Sequence, residues 1–157
     1  MKREEHKVGD KAPDFTATDE KGDRIKLSDY KGKKVILYFY PRDNTPGCTA
    51  EACSLRDGYE KLVHLGYEVI GVSPDSQKSH QGFIAKYSLP FRLISDTDHR
   101  LASIYGVWGE KKMYGRTYEG IIRTTFLIDE KGYIGKVFSK VDTTNHVNQI
   151  FEYLGKS

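Results

Sequence analysis

The sequence predicts an α/β domain, a central sheet with helices on its faces, and three observations carry that expectation. Residues 35–40 (VILYFY) and 67–72 (YEVIGV) are apolar almost throughout and rich in β-branched and aromatic side chains. Such runs fit strands buried on both faces better than strands with one wet face. Between and after them, apolar residues recur at three- and four-residue steps, the period of a helix. At 157 residues the chain has the length of one ordinary domain, here 1–157, and a domain of that size buries about 70% of its unfolded surface without cross-links.

The elements follow in order. Residues 15–18 and 24–27 flank Asp19-Glu20-Lys21-Gly22-Asp23, whose turn chemistry predicts an N-terminal hairpin. The strand at 35–40 is closed by Pro41. A helix is expected from Pro46 to about Leu65, with Ala52, Leu55, Tyr59, Leu62 and Val63 in its periodic pattern and Gly66 after it. The strand at 67–72 comes next, then a helix over 76–87, apolar at Phe83, Ile84 and Tyr87, a short strand at 91–94 and a short helix at 98–105. Residues 123–128 (RTTFLI) and 133–138 (YIGKVF) read as a hairpin around Asp129-Glu130-Lys131-Gly132. Residues 143–154 read as a closing helix with Val147, Ile150, Phe151 and Leu154 on one stripe. The first βαβ crossover should be right-handed, with helices on both faces of the sheet. The arrangement is thioredoxin-like, a central sheet flanked by helices, with a β-hairpin extension at the N-terminus.

Composition excludes several classes. With 38% apolar, 30% charged and 12% aromatic residues, the chain is too apolar for disorder. Its longest purely apolar run, 35–40, is far short of the ~20 residues that span a bilayer. The opening Met-Lys-Arg-Glu-Glu-His-Lys has no apolar stretch behind it and does not read as a secretory signal. Lys and Arg number 25 against 22 Asp and Glu, a formal charge of +3, too even to argue for nucleic acid or an anionic membrane as partner. Two cysteines make no disulfide scaffold. The expectation is a soluble, cytoplasmic protein.

The chemistry is written in residues 40–53, YPRDNTPGCTAEAC, between the most buried-looking strand and the first helix. Open α/β sheets place ligands at the carboxyl ends of their strands. Thr45 is a natural N-cap and Pro46 suits the first helical position, which puts Cys48 in the first turn. Unpaired backbone N–H groups and the positive end of the helix dipole there favour thiolate over thiol. Read alone, Cys48 could equally be a buried small hydrophobe. Cys53, five residues on, changes the balance. In an intact helix the two Cα atoms would be ~8.7 Å apart, beyond the ~7 Å that a disulfide tolerates without backbone movement. That makes a poor static staple, but it suits an attacking and a resolving thiol.

Other readings fail on counting. A CxxC motif needs two intervening residues and here there are four. A structural zinc site needs four ligands, and the five histidines are scattered singly among polar residues, so they read as solvated, with no metal expected. No glycine-rich phosphate loop is present. Residues 109–112 (GEKK) read as a solvated loop. Glu51 and Arg56, on the same helix as Cys48, could help orient the site but read most simply as a helix-surface ion pair. Arg123 opens an otherwise apolar strand; it is either a surface residue at a strand end or a buried arginine that needs an anionic partner.

Pro41-x-x-x-Thr45-x-x-Cys48 resembles the peroxiredoxin active-site motif. With Thr45-Pro46-Gly47-Cys48 and Cys53, the chain is similar to the atypical two-cysteine subgroup called bacterioferritin comigratory protein or peroxiredoxin Q. The likeness extends to residues 9–15 (GDKAPDF), 38–41 (YFYP), 106–111 (GVWGEK) and 123–129 (RTTFLID). It implies a thiol peroxidase for hydrogen peroxide and alkyl hydroperoxides. Cys48 would be the peroxidatic cysteine, oxidised to a sulfenic acid, and Cys53 the resolving one, forming a disulfide with Cys48. Thr45 would contact the thiolate and peroxide, Pro41 would shield the pocket, and Arg123 would support the thiolate and the developing charge on the peroxide oxygens. Thioredoxin or a similar dithiol would recycle the disulfide, with no cofactor. Both cysteines lie in one helix, so a monomer suffices. The rival readings are a thiol–disulfide oxidoreductase and a non-catalytic peroxide sensor.

Overall fold

The computed structural model describes residues 5–155. The chain enters through a short antiparallel hairpin, β1 (Thr16–Thr18) and β2 (Arg24–Lys26), followed by a 3-10 turn at Leu27–Tyr30. Then come β3 (Lys34–Phe39), α1 (Pro46–Asp57), α2 (Tyr59–His64), β4 (Tyr67–Ser73), α3 (Gln77–Tyr87), β5 (Arg92–Ser95) and α4 (Arg100–Ile104). The last part holds β6 (Trp108–Met113), β7 (Arg116–Ile121), β8 (Thr124–Ile128), β9 (Ile134–Phe138) and α5 (His146–Tyr153). Five strands form the central sheet in the order β5-β4-β3-β8-β9, with β3, β4 and β5 parallel and β8 and β9 antiparallel to their neighbours.

The position of β3 explains its unbroken apolar run. Val35, Leu37 and Phe39 point into one core cluster, with Val72, Ile94, Tyr105 and Phe126. Ile36, Tyr38 and the following Tyr40 point into a second, with Cys48, Leu55, Phe83 and Ile150. A strand with a core on each side has no solvent face on which to place a polar residue. Helices therefore lie on both faces, as the sequence predicts: α1, α2, α3 and α5 supply the second cluster, α4 the first. Among the described residues, no helix is long and apolar enough to cross a membrane.

Four sequence expectations need correction. The predicted helix from Pro46 to Leu65 is two helices, broken at Gly58. The cause is tertiary: a Cβ on Gly58 would collide with Val147 Cγ2 and press within 3.3 Å of the Phe151 ring, so α5 packs directly on that backbone. The closing helix starts at His146, three residues later than expected from 143. Residues 109–112 are not a loop but lie in β6, which pairs with β7 as a separate two-stranded ribbon. Tyr114 and Gly115 turn it, both at positive φ (53° and 77°), the combination that two-residue hairpin turns require. Finally, His80 and His146 are not solvated; both are completely buried.

Gly58→Ala is expected to destabilise the fold by about 1–3 kcal/mol through overpacking, read by urea unfolding. Gly58→Ala combined with Val147→Ala should lose less than the sum of the two single changes. Strict additivity would mean that α5 does not press on Gly58.

Candidate active site

The site grows from the end of β3. Tyr40 extends the strand by donating its backbone N–H to the Val72 carbonyl at 3.0 Å, and Pro41 then ends the ladder, half-buried. The loop that follows is braced from inside. Asp43 is buried and its carboxylate accepts from the Tyr40 hydroxyl at 2.6 Å, the Ser79 hydroxyl at 2.8 Å and His80 Nδ1 at 2.7 Å. Its backbone N–H donates to Asp75 Oδ2 at 2.8 Å, an oxygen that also accepts from the Ser73 hydroxyl at 2.6 Å. His80 Nε2 faces the Ile94 carbonyl at 2.9 Å. Asp43, Asp75 and His80 bring their ligand atoms within 4.8 Å of one another, yet both Asp43 oxygens are taken by protein donors. The cluster ties the loop to β4 and α3, and with that brace Asn44 holds a left-handed φ of 64°.

Thr45 then occupies the N-cap position in extended conformation, its carbonyl accepting the Thr49 N–H at 2.9 Å, with Pro46 at the first helical position. The Thr45 hydroxyl does not cap the helix; it donates to the Arg42 carbonyl at 2.8 Å. Cys48 lies in the first turn, as predicted, with 1% of its surface exposed. Arg123, in the short link between β7 and β8, donates Nη2–H to Cys48 Sγ at 3.3 Å and Nη1–H to Glu51 Oε1 at 2.6 Å. Gly47 packs beside this approach, where a Cβ would sit 3.4 Å from Nη2, an ordinary contact distance. Desolvation works against the guanidinium's charge, but Glu51 and Cys48 outweigh it and hold Arg123 protonated. Of the two readings of Arg123 left open by the sequence, the structure is nearer the second: the side chain is half-buried and paired with the Glu51 carboxyl.

Glu51 corrects another expectation. It is not paired with Arg56 on the helix surface. Arg56 instead reaches Asp57 and the Tyr87 carbonyl, each at 2.9 Å, while Glu51 has no exposed surface at all. Burial pushes its carboxyl up to about 7, and Arg123 pulls back only part of that rise. Behind it, His146 Nε2 lies 3.8 Å from Glu51 Oε2 and 2.9 Å from the Thr125 hydroxyl. From the ribbon, half-buried Lys111 comes within electrostatic range: desolvation first, and then Arg123, lower its pKa, while Cys48 raises it. Cys53 is half-buried further along α1, and both cysteines are free thiols. The structure thus joins Cys48 and Arg123 by direct contact and places Cys53 on the same helix. It leaves the Thr45 hydroxyl on Arg42 and puts Pro41 at the strand end that opens the loop. Asp43, Glu51, His80, His146 and Lys111 were not singled out as site residues from the sequence.

A family model described as AhpC/TSA matches residues 8–137, most of the chain and every residue of this site except those on α5. The chain belongs to the AhpC/TSA family. Among proteins similar to this AhpC/TSA member, peroxiredoxin Bcp of Bacillus subtilis is 49% identical over 147 residues, covering 94% of each chain. A cysteine-to-serine mutant of Xylella fastidiosa PrxQ superposes with a TM-score of 0.90 at 33% identity over 97% of each chain. Bacterioferritin comigratory protein of Xanthomonas campestris, solved as trapped intermediate and ligand complexes bearing on its alkyl peroxide reduction, gives 0.84 at 34% identity over 90% of each. The thioredoxin-like fold and the peroxiredoxin class of enzyme, a thiol peroxidase, follow for this family member.

Removing Asp43 would take the carboxylate acceptor from His80 Nδ1, the Tyr40 hydroxyl and the Ser79 hydroxyl in a dry interior. Asp43→Ala is expected to cost about 3–5 kcal/mol, the usual penalty for stranding half of a buried pair, measured by denaturant unfolding. A loss below about 1 kcal/mol would show that the cluster does not brace the loop.

Proposed function

We propose that the chain reduces hydrogen peroxide and alkyl hydroperoxides through Cys48, resolves the product with Cys53, and is recycled in the cytoplasm by thioredoxin or a similar dithiol. The observation that carries this is the contact of Arg123 with Cys48 Sγ at 3.3 Å in the first turn of α1. A fixed guanidinium N–H beside sulfur stabilises the thiolate and offers positive charge where peroxide oxygens would lie. The thiolate attacks one peroxide oxygen, the O–O bond breaks, and the departing oxygen takes up a proton and leaves as water or alcohol. Cys48 is then a sulfenic acid. The Cys53 thiol displaces that hydroxyl as water, forming the disulfide, and an external dithiol reduces it by exchange. Pro41 would keep water from the pocket, and the Thr45 hydroxyl would turn from the Arg42 carbonyl toward the sulfur and peroxide. Because both cysteines lie on one helix, the cycle needs no second subunit, which supports a monomer.

Cys48→Ser is expected to abolish peroxide consumption, since an alcohol cannot replace a thiolate. Cys53→Ser should reduce one equivalent, then stall with thioredoxin and drift to the sulfinic acid. Wild-type speed in Cys48→Ser together with a slow Cys53→Ser would reverse the two roles.

Arg123→Lys tests the fork. A lysine cannot give one planar N–H to Glu51 and another to Cys48. The second-order rate constant with peroxide is expected to fall at least tenfold, about 1.4 kcal/mol of transition-state stabilisation. An unchanged constant in stopped flow would take Arg123 out of the reaction.

A further inference from the structure

Closing a bond between Cys48 and Cys53 requires α1 to unwind, because their Cα atoms would stand ~8.7 Å apart in the intact helix. Glu51 lies inside that stretch, three residues after Cys48 and two before Cys53. It has no exposed surface; Oε1 takes the Arg123 N–H at 2.6 Å, and among the described residues Oε2 has no hydrogen-bond partner. The ionisable groups facing it are Arg123 from the β7–β8 link, His146 from α5, Tyr38 from β3 and Cys48 from its own helix.

None of these supplies a donor to Oε2. Gln149 Oε1 accepts from the Asp142 N–H at 3.0 Å and from His146 Nδ1 at 2.8 Å, while the Gln149 amide nitrogen donates to the Lys140 carbonyl at 3.2 Å. That fixes the amide and places the ring proton on Nδ1. Nε2 therefore presents a lone pair, already used by the Thr125 hydroxyl at 2.9 Å. Burial lowers the His146 pKa, which keeps the ring neutral. The Tyr38 hydroxyl makes no hydrogen bond either. An ionised Glu51 thus has one half of its carboxylate buried without a donor, at a cost that solvent would remove.

We propose that Glu51 is a positioning residue for the disulfide-forming step: its ionised carboxylate favours the unwound Cys48–Cys53 segment, and its protonated carboxyl favours the helix. This rests on the reading of Cys48 and Cys53 as attacking and resolving thiols. In the helix the carboxyl titrates at about 7, and in a solvated, unwound segment at about 4.3. The value in the wound state is the higher one. Its contribution to the helix is therefore fully present below about pH 4.3 and is lost as pH rises through about 7. Across that window the unwinding equilibrium constant should grow by up to about tenfold per pH unit, to a limit of several hundredfold.

The test uses Cys48→Ser, in which no disulfide can form. Hydrogen exchange by mass spectrometry, corrected for intrinsic pH dependence, should show protection across residues 47–55 falling at least tenfold from pH 5 to pH 8. In Cys48→Ser combined with Glu51→Gln, protection should stay within twofold over the same range. In chains with both cysteines, the wild-type to Glu51→Gln ratio of closure rates after one equivalent of peroxide should rise with pH, the ionisation of Cys53 cancelling in the ratio. Equal pH dependence with and without Glu51→Gln overturns the proposal. Should Glu51→Gln not fold, infrared titration of the wild-type carboxyl decides, and a midpoint in the ordinary carboxylate range overturns it as well. A peptide map lacking the Cys48–Cys53 cross-link would instead overturn the reading of the two thiols, whatever the exchange shows.

Discussion

One guanidinium holds this site together. Arg123 extends one arm to Cys48 and the other to Glu51, and both acceptors are buried, so none of the three groups can move without stranding another. Much of the surrounding structure serves that fork. The link after β7 delivers Arg123 to the mouth of α1. Antiparallel pairing of β8 with β3 fixes the height of the link against the strand that leads to Cys48, with Thr124 opposite Phe39. A lysine would preserve the charge but not the double engagement, which is the geometric part of the interaction.

If Cys48 and Cys53 act as proposed, the same helix must be firm for one step and yielding for the next. Peroxide attack would need Cys48 held at the helix start, whereas disulfide closure would need the turn between the cysteines to open. α1 itself runs twelve residues, Pro46–Asp57. It ends at Gly58 because α5 presses on that backbone, and α5 is tied to it by a hydrogen bond from the Val147 N–H to Ser54 Oγ at 3.0 Å, near the end of α1. Opening 47–55 would cost the packing of Ala52 and Leu55 but would release a buried carboxyl whose Oε2 makes no hydrogen bond. The second term partly offsets the first and does so more as pH rises.

The elements that the sequence made legible are those whose burial is two-sided or strictly periodic: β3, β4, α3 and the β8–β9 hairpin. Cys48 and Arg123 were legible as candidates because each breaks a local rule, a thiol at a helix start or a charge just ahead of an apolar strand, and Cys53 through its spacing from Cys48. Glu51, His80 and His146 were missed although one signal marks all three. Glu51 falls between Cys48 and Leu55 at three- and four-residue steps, His80 three before Phe83, and His146 four before Ile150. A polar residue on the apolar stripe of a helix faces the core by phase alone, and should have been read as buried with a partner. The β6–β7 ribbon had no such mark. Its strands are charged and its turn uses Tyr114, a side chain that seldom signals a left-handed φ.

Buried polar groups divide this molecule into a fixed part and a movable part. Around Asp43 both carboxylate oxygens have donors, and both His80 nitrogens have partners, so the loop from Pro41 to Thr45 is held by a satisfied network. Around Glu51 one oxygen is left over. A satisfied network is costly to disturb and an incomplete one is easy to open. On the proposal above, the segment preceding the thiol stays braced while the segment following it opens, and Cys48 stands at the boundary between them. If the thiol moves through its cycle, α1 should travel with it while the Pro41–Thr45 loop stays in place. The loop would then offer the same peroxide-binding surface each time the helix re-forms.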